Sequence, residues 1–291
     1  MRCDLHIHSL HSGRCTLPVL NRICRESYSP PEAVYETLRR RGMDLVTLTD
    51  HDSINGAETL LSRPGTFLSE EVTCTAPSAT ELHVGVYDIS ERQHFHLQQR
   101  RSDLPRFLAY LREQRLFAAV NHPFSALTGK RSREDFTSFA RFAGLEVLNA
   151  HLACANNLCA AQFAERHSLL PVGGSDAHTV TSAGTAWTEV PGARNQEEFF
   201  LGLQQGRARV AGCSGTYPKM TREVLRIALA MMAETPCSLI LAPLLMGVPL
   251  MTLANVVRER LFVKKWGLRI LEGAVMAGLG SASAQSQESA A

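Results

Sequence analysis

Leu45-Val46-Thr47-Leu48-Thr49-Asp50-His51-Asp52 is an apolar run of strand length that ends in ionisable side chains. The layout recurs. Phe117-Ala118-Ala119-Val120 leads into Asn121-His122-Pro123, and the run closing at Val172 leads into Gly174-Ser175-Asp176-Ala177-His178. Apolar runs of this kind lie at 3–7, 44–49, 66–74, 82–87, 117–121, 145–149 and 170–173. Helix-period segments at 31–41, 102–115, 133–142 and 155–167 fall between several of them. Seven strands alternating with helices predict a parallel α/β architecture, and a barrel fits that count. Such barrels gather their reacting groups at the C-terminal ends of strands. His51, His122 and Asp176 stand at such ends.

Asp4-Leu5-His6-Ile7-His8 opens the chain with the same idea in another form. Alternate side chains of a strand share a face, so His6 and His8 point together, as do Asp176 and His178. Imidazole and carboxylate at the ends of rigid elements are the ligand mix for zinc, manganese or iron rather than calcium or magnesium. Glu71, in Ser69-Glu70-Glu71-Val72-Thr73, sits inside an apolar strand, where an unpaired carboxylate is costly. Metal ligation removes that cost and lets one carboxylate bridge two cations. Glu70 faces the other way, and spacing alone leaves open which of the two points inward. His83 lies in the short apolar strand Leu82-His83-Val84-Gly85-Val86, and Pro123 stiffens the loop just after His122.

Taken together, His6-x-His8, Thr49-Asp50-His51-Asp52, Glu71, His83, Asn121-His122-Pro123 and Gly174-Ser175-Asp176-Ala177-His178 resemble the motifs of the PHP (polymerase and histidinol phosphatase) family of metal-dependent phosphoesterases. The resemblance implies a distorted seven-stranded (β/α) barrel, similar to a TIM barrel, with two or three divalent metal ions (zinc, manganese or iron). It implies that His6, His8, Glu71 and Asp176 hold one metal, that Glu71, His83 and His122 hold a second, and that His51 and His178 contribute to a third. One position departs from the family pattern. Ser9-Leu10-His11-Ser12-Gly13-Arg14-Cys15 lacks the usual aspartate or histidine that completes the third site. His11 and Cys15 are the nearest substitutes, and Glu26 belongs to an insertion, Thr16 to Tyr28, able to fold back over the site. A dinuclear centre and a loosely held third metal both stay open.

Water shared by two cations loses proton affinity and becomes a nucleophile near neutral pH. Asp176 and His178 are candidates to orient it or to protonate the leaving alkoxide. Arg14 is the first candidate to grip phosphate, followed by Lys130 and Arg131. His11, His94, His96, His151 and His167 read as surface or structural histidines. The favoured reading is a phosphoesterase acting on a small phosphate ester or a nucleotide. Hydrolysis of a carbamate, amide or carboxyl ester is the alternative, and a non-catalytic metal-binding interaction module is the third reading.

The 291-residue chain is 45% hydrophobic and 20% charged, as in an ordinary globular protein. A net charge of +2 gives no global case for nucleic-acid binding, so a small-molecule partner without nucleic acid is expected. The eight cysteines form no CxxC pair and suit reduced thiols in a cytoplasm. No signal peptide precedes Asp4. The chain divides into a metallohydrolase domain at 1–215, a helical apolar extension at 216–279 and a disordered tail at 280–291. Residues 235–257 carry no charge and are followed by Arg258, Arg260, Lys264 and Lys265. That stretch is long enough to span a bilayer, but Pro236, Pro243 and Pro249 interrupt it. Contact with the inner face of a membrane and packing of buried helices on the barrel are the competing readings.

Overall fold

The computed structural model describes residues 1–15 and 21–272, so the tail at 280–291 lies outside the described residues. In chain order the elements are β1 (Arg2–Cys3), α1 (Pro31–Arg40), α2 (Asn55–Glu58), β2 (Ser69–Thr75), β3 (Glu81–Tyr87), α3 (Glu91–Gln98), α4 (Leu104–Glu113) and β4 (Phe117–Val120). There follow α5 (Arg133–Phe139), β5 (Gly144–Asn149), α6 (Cys154–Arg166), β6 (Leu170–Gly174), β7 (Ala186–Glu189), α7 (Gln196–Gln204) and β8 (Arg209–Gly212). α8 (Tyr217–Glu234), a 3-10 segment (Pro236–Gly247), α9 (Val248–Gly267) and a short π-helical segment (Leu268–Glu272) complete the described elements. The helix starts follow local chemistry. α1 begins with proline at its first turn, and α3 and α5 carry capping boxes, Ser90 with Gln93 and Ser132 with Asp135.

The fold is α/β, as expected, but it is not a regular seven-stranded parallel barrel. Strands β2-β3-β4-β5-β6 form a five-stranded sheet and β1-β7-β8 a separate three-stranded one. Only β4–β5 and β5–β6 pair in parallel; β2–β3 and β3–β4 are antiparallel. The link between β2 and β3 is too short for a crossover, which forces a hairpin. The first two expected strands are irregular instead. Segments 3–8 and 45–52 meet the sheets through single parallel bridges: Cys3 with Leu45, Ile7 with Ala177, Val46 with Thr66 and His51 with Glu71. They thereby connect the β6 edge to the β2 edge.

Side chains replace the ladder in these segments. Thr49 Oγ1 accepts the Ile7 N–H at 2.9 Å, and the Asp4 carboxylate accepts the N–H groups of Ser175 and Gly184 at 2.8 and 2.7 Å. The Asp50 carboxylate takes Ser9 N–H at 2.6 Å and Ser9 Oγ–H at 2.7 Å. Polar side chains of this kind offer the backbone an alternative to strand pairing. Gly174 is needed at the junction, because a Cβ there would lie 2.4 Å from that of His6.

The C-terminal extension packs on this body. Glu259 of α9 is buried and accepts hydrogen bonds from Ser125 Oγ, Ala126 N and Asn156 Nδ2 at 2.8–3.0 Å. Among the described residues one helical stretch, Pro236–Ile270, is long and apolar enough to cross a membrane by length and composition.

Candidate metal centre

The sequence-nominated ligands converge on Glu71 at the inner face of β2. Its Oε1 lies 3.3 Å from His6 Nε2, 3.5 Å from His83 Nδ1 and 3.4 Å from His122 Nε2. Its Oε2 lies 3.4 Å from His8 Nε2 and 3.3 Å from His51 Nδ1. Asp176 Oδ1 closes the group at 3.5 Å from His6 Nε2 and 3.4 Å from His8 Nε2. Glu70 points away, to His94 Nδ1 at 2.9 Å and Gln98 Nε2 at 2.7 Å. Strand alternation therefore assigns the inward carboxylate to Glu71.

These separations fit cations at the centre. Ligands bound at about 2.1 Å in a tetrahedron stand about 3.4 Å apart, and the spacings here are 3.3–3.5 Å. Four overlapping triads could hold an ion: His6, His8, Glu71; His6, His122, Asp176; His8, Asp176, His178; and His51, Glu71, His83. Glu71 Oε2 and His83 Nδ1 are buried without a hydrogen-bond partner, as expected of donors aimed at a metal. Two of these residues have left-handed backbones, His122 at φ 32° and Asp176 at φ 50°. Such conformations cost about 1–3 kcal/mol each and cluster at functional sites.

Charge follows the same plan. Burial alone would raise the Glu71 carboxyl, but His6, His51 and His83 outweigh it and hold the group well below the carboxylate range. Asp176 is likewise held down against burial by His6, His8 and His178. Burial and the neighbouring His178 push His8 down to about 3, so its imidazole is neutral and free to ligate.

Several contributors escaped the sequence reading. Glu146, buried on β5, accepts from His6 Nδ1 at 2.9 Å, His122 N at 2.7 Å and Asn149 Nδ2 at 3.0 Å. A carboxylate on Nδ1 fixes the tautomer that leaves Nε2 for the metal. Ser12 Oγ sits 2.8 Å from His8 Nδ1, and Asn121 Nδ2 donates to Glu71 Oε1 at 2.8 Å. The strand pattern carried a signal for Glu146, a lone carboxylate in the apolar run 145–149. His151, read as surface or structural, lines the cavity with a buried, unpartnered Nδ1.

Glu26 lies beside the two histidines expected at the third position. Its Oε1 lies 3.3 Å from His51 Nε2 and 3.5 Å from His178 Nε2, so the described part of the insertion around Glu26 reaches the site. The anion-binding candidates fare differently. Arg14 is exposed and does not line the cavity. Arg131 is buried against Thr80 Oγ1, the Glu81 carbonyl and Thr128 Oγ1, and Lys130 is exposed. Among the described residues, the cavity wall holds no lysine or arginine.

Residues 155–208 match the PHP-associated family, a stretch that contains Asp176 and His178. No curated protein sequence matches the chain. Solved structures do. PsfC from Pseudomonas syringae shares 20% identity and a TM-score of 0.53, over 80% of this chain and 98% of that one. The lesion-specific endonuclease EndoQ from Pyrococcus furiosus shares 16% identity and a TM-score of 0.51, over 72% and 58%. Endonuclease Q in complex with a 27-mer duplex carrying an abasic lesion at its active site gives 16% identity and 0.52, over 73% and 60%. These likenesses correct the expectation of a small phosphate ester without nucleic acid, since the same fold serves an enzyme that takes duplex DNA. The match at residues 155–208 and the shared fold support a relationship to PHP-domain proteins, consistent with the ordered motifs of the sequence.

Proposed function

We propose that the chain is a metal-dependent hydrolase of phosphate esters, with residues 1–215 supplying the reaction centre and residues 216–272 covering it. The observation that carries this reading is Glu71, a single carboxylate with five imidazoles around its two oxygens. His6, His8, Glu71 and Asp176 would hold one divalent ion, and Glu71, His83 and His122 a second. His51 and His178, with Glu26, would hold a third. Bound zinc, manganese or iron would supply Lewis acidity, activating water and neutralising the ester oxygens.

The protein's own groups do the rest. Glu146 and Ser12 fix the His6 and His8 rings, and the Asn121 amide holds the Glu71 carboxylate in place. Burial opposes a charge on His178, but Glu26 and Asp176 overcome it and raise the imidazole to about 9. With the third position empty, His178 would serve as the proton donor for the departing alkoxide, with Asp176 orienting the attacking water; with that position filled, it would serve as a ligand instead. Among the described residues no cationic side chain lines the wall, and Arg14 is exposed outside it, so this reading assigns Arg14 no grip on the ester. The lack of such a cation also favours a second reading, hydrolysis of an uncharged carboxyl ester or amide, which needs no anion clamp.

The test is a substrate panel on metal-stripped protein reloaded with manganese, zinc or iron. It contains p-nitrophenyl phosphate, bis-p-nitrophenyl phosphate, an abasic duplex and p-nitrophenyl acetate. Phosphate-ester turnover that vanishes in Glu71→Gln is expected. Metal-loaded protein that turns over only the carboxyl ester would establish the second reading, and unchanged metal content and rate in Glu71→Gln would end the first.

A further inference from the structure

We propose that the substrate is an amphiphile, whose scissile group sits at the metal centre while a hydrocarbon segment lies along the extension. This rests on the hydrolase reading above and adds a substrate class to it. A single cavity of about 520 Å³ joins the two regions, a size typical of small-ligand sites. Its floor is Glu71, Asp176, His51, His83, His122 and His178. Its facing wall is Val224, Ile227 and Met231 of α8 with Leu241 and Leu245 of the 3-10 segment and Met251 of α9.

The division between the walls is sharp. α8 contributes one carboxylate, Glu223, and that group already accepts from Thr179 Oγ1 and Ser182 Oγ at 2.6 Å. A polyhydroxylated group lying along α8 would lose its water and find few partners, at a cost for each unpaired polar group. Hydrocarbon has the opposite preference: apolar side chains that line a void forfeit contact on one side, and an alkyl chain restores it. The wall also continues outward. Leu244 lines the cavity yet is 67% exposed, and Ile240 at 83% and Leu250 at 72% are exposed elsewhere on the same extension. Through Leu244 the apolar wall therefore reaches the surface, so a chain longer than the cavity can extend out of it.

Calorimetric titration of the full chain with butyl, hexyl and octyl phosphate tests the assignment, once with manganese and once after chelation. The Kd is expected to tighten about fourfold for each added methylene. Chelation should weaken every member by one common factor, since the slope belongs to the helices and not to the metals. Ile227→Asn should flatten the slope, while Leu229→Asn, on an exposed position of the same helix, should keep it. If Ile227→Asn does not fold, the wild-type series decides alone. Equal Kd values for butyl and octyl phosphate would overturn the proposal. So would preferential binding and cleavage of an abasic duplex with a flat alkyl series. Turnover of butyl phosphate, followed in parallel, reports on the hydrolase reading separately. Hydrolysis with a flat Kd series removes only the amphiphile, and a steep series without hydrolysis of any alkyl phosphate removes only the phosphoesterase.

Discussion

Replacing Glu146 by glutamine keeps every heavy atom and changes only charge and donor pattern, which makes it a sharp probe of the centre. Oε1 accepts from His6 Nδ1, while Oε2 accepts from both His122 N and Asn149 Nδ2. A carboxamide has one accepting end. If its NH2 faces His6, the His6 ring must accept at Nδ1 and carry its proton on Nε2, the atom that points at Glu71 and Asp176. Metal affinity then falls by about 10–100-fold, or roughly 1.4–2.8 kcal/mol. If its NH2 faces the other way, the buried N–H of His122 and the Asn149 amide lose their acceptor. That costs about 1–3 kcal/mol for each donor left unsatisfied. Either orientation leaves a mark, and the two marks differ. Chelator competition on the metal-stripped protein reads the first, and denaturant unfolding of the metal-free protein reads the second. A Glu146→Gln protein that binds metal and unfolds like the wild type would refute the role given to this carboxylate.

Glu26→Ala should lower metal content by one ion per chain at limiting metal while leaving the ions on Glu71 in place, as read by elemental analysis after dialysis. Equal content in wild type and variant would count against a third site. Glu259→Ala removes the acceptor shared by Ser125, Ala126 and Asn156, so it should cost about 3 kcal/mol and loosen α9 from the body. Limited proteolysis after residue 215 should then speed up, and an unchanged cleavage rate would argue against this anchor. His94 is raised above its ordinary 6.5, first by its hydrogen bond to Glu70, so the folded protein holds that proton more tightly than the unfolded chain. Its contribution is complete below about pH 6.5 and disappears as pH rises through the folded value. The difference in melting temperature between wild type and His94→Gln should therefore shrink as pH rises; a difference that grows would reverse the assignment.

Much of the candidate centre was legible in the chain because its ionisable residues stand within or just after apolar runs. A histidine or aspartate at the end of an apolar run announces itself, which is why His6, His8, His51, His122, Asp176 and His178 all reach one cluster. Strand alternation also restricted the choice to Glu70 or Glu71, though only the hydrogen bonds of Glu70 to His94 and Gln98 settled which faces inward. The helices at 31–40, 104–113, 133–139 and 154–166 followed from period and caps. Strand direction did not, because hydropathy is the same for either direction of pairing. The runs at 3–7 and 44–49 also looked like strands, yet Asp4, Thr49 and Asp50 draw their backbone partners away into side-chain bonds.

The sequence by itself nominated most of the candidate ligands and their order, since residue types and spacing are written along the chain. What only the tertiary structure decided lies between segments far apart in that order. Glu26 reaches His178 across an insertion, Glu146 reaches His6 across 140 residues, and the apolar helices after residue 215 close over the centre instead of standing apart. Period and composition describe what one element presents, but through-space pairing depends on how the whole chain closes. The same limit explains Arg14: adjacency to the metal strand in sequence suggested a phosphate grip, and the turn that follows leaves it in solvent.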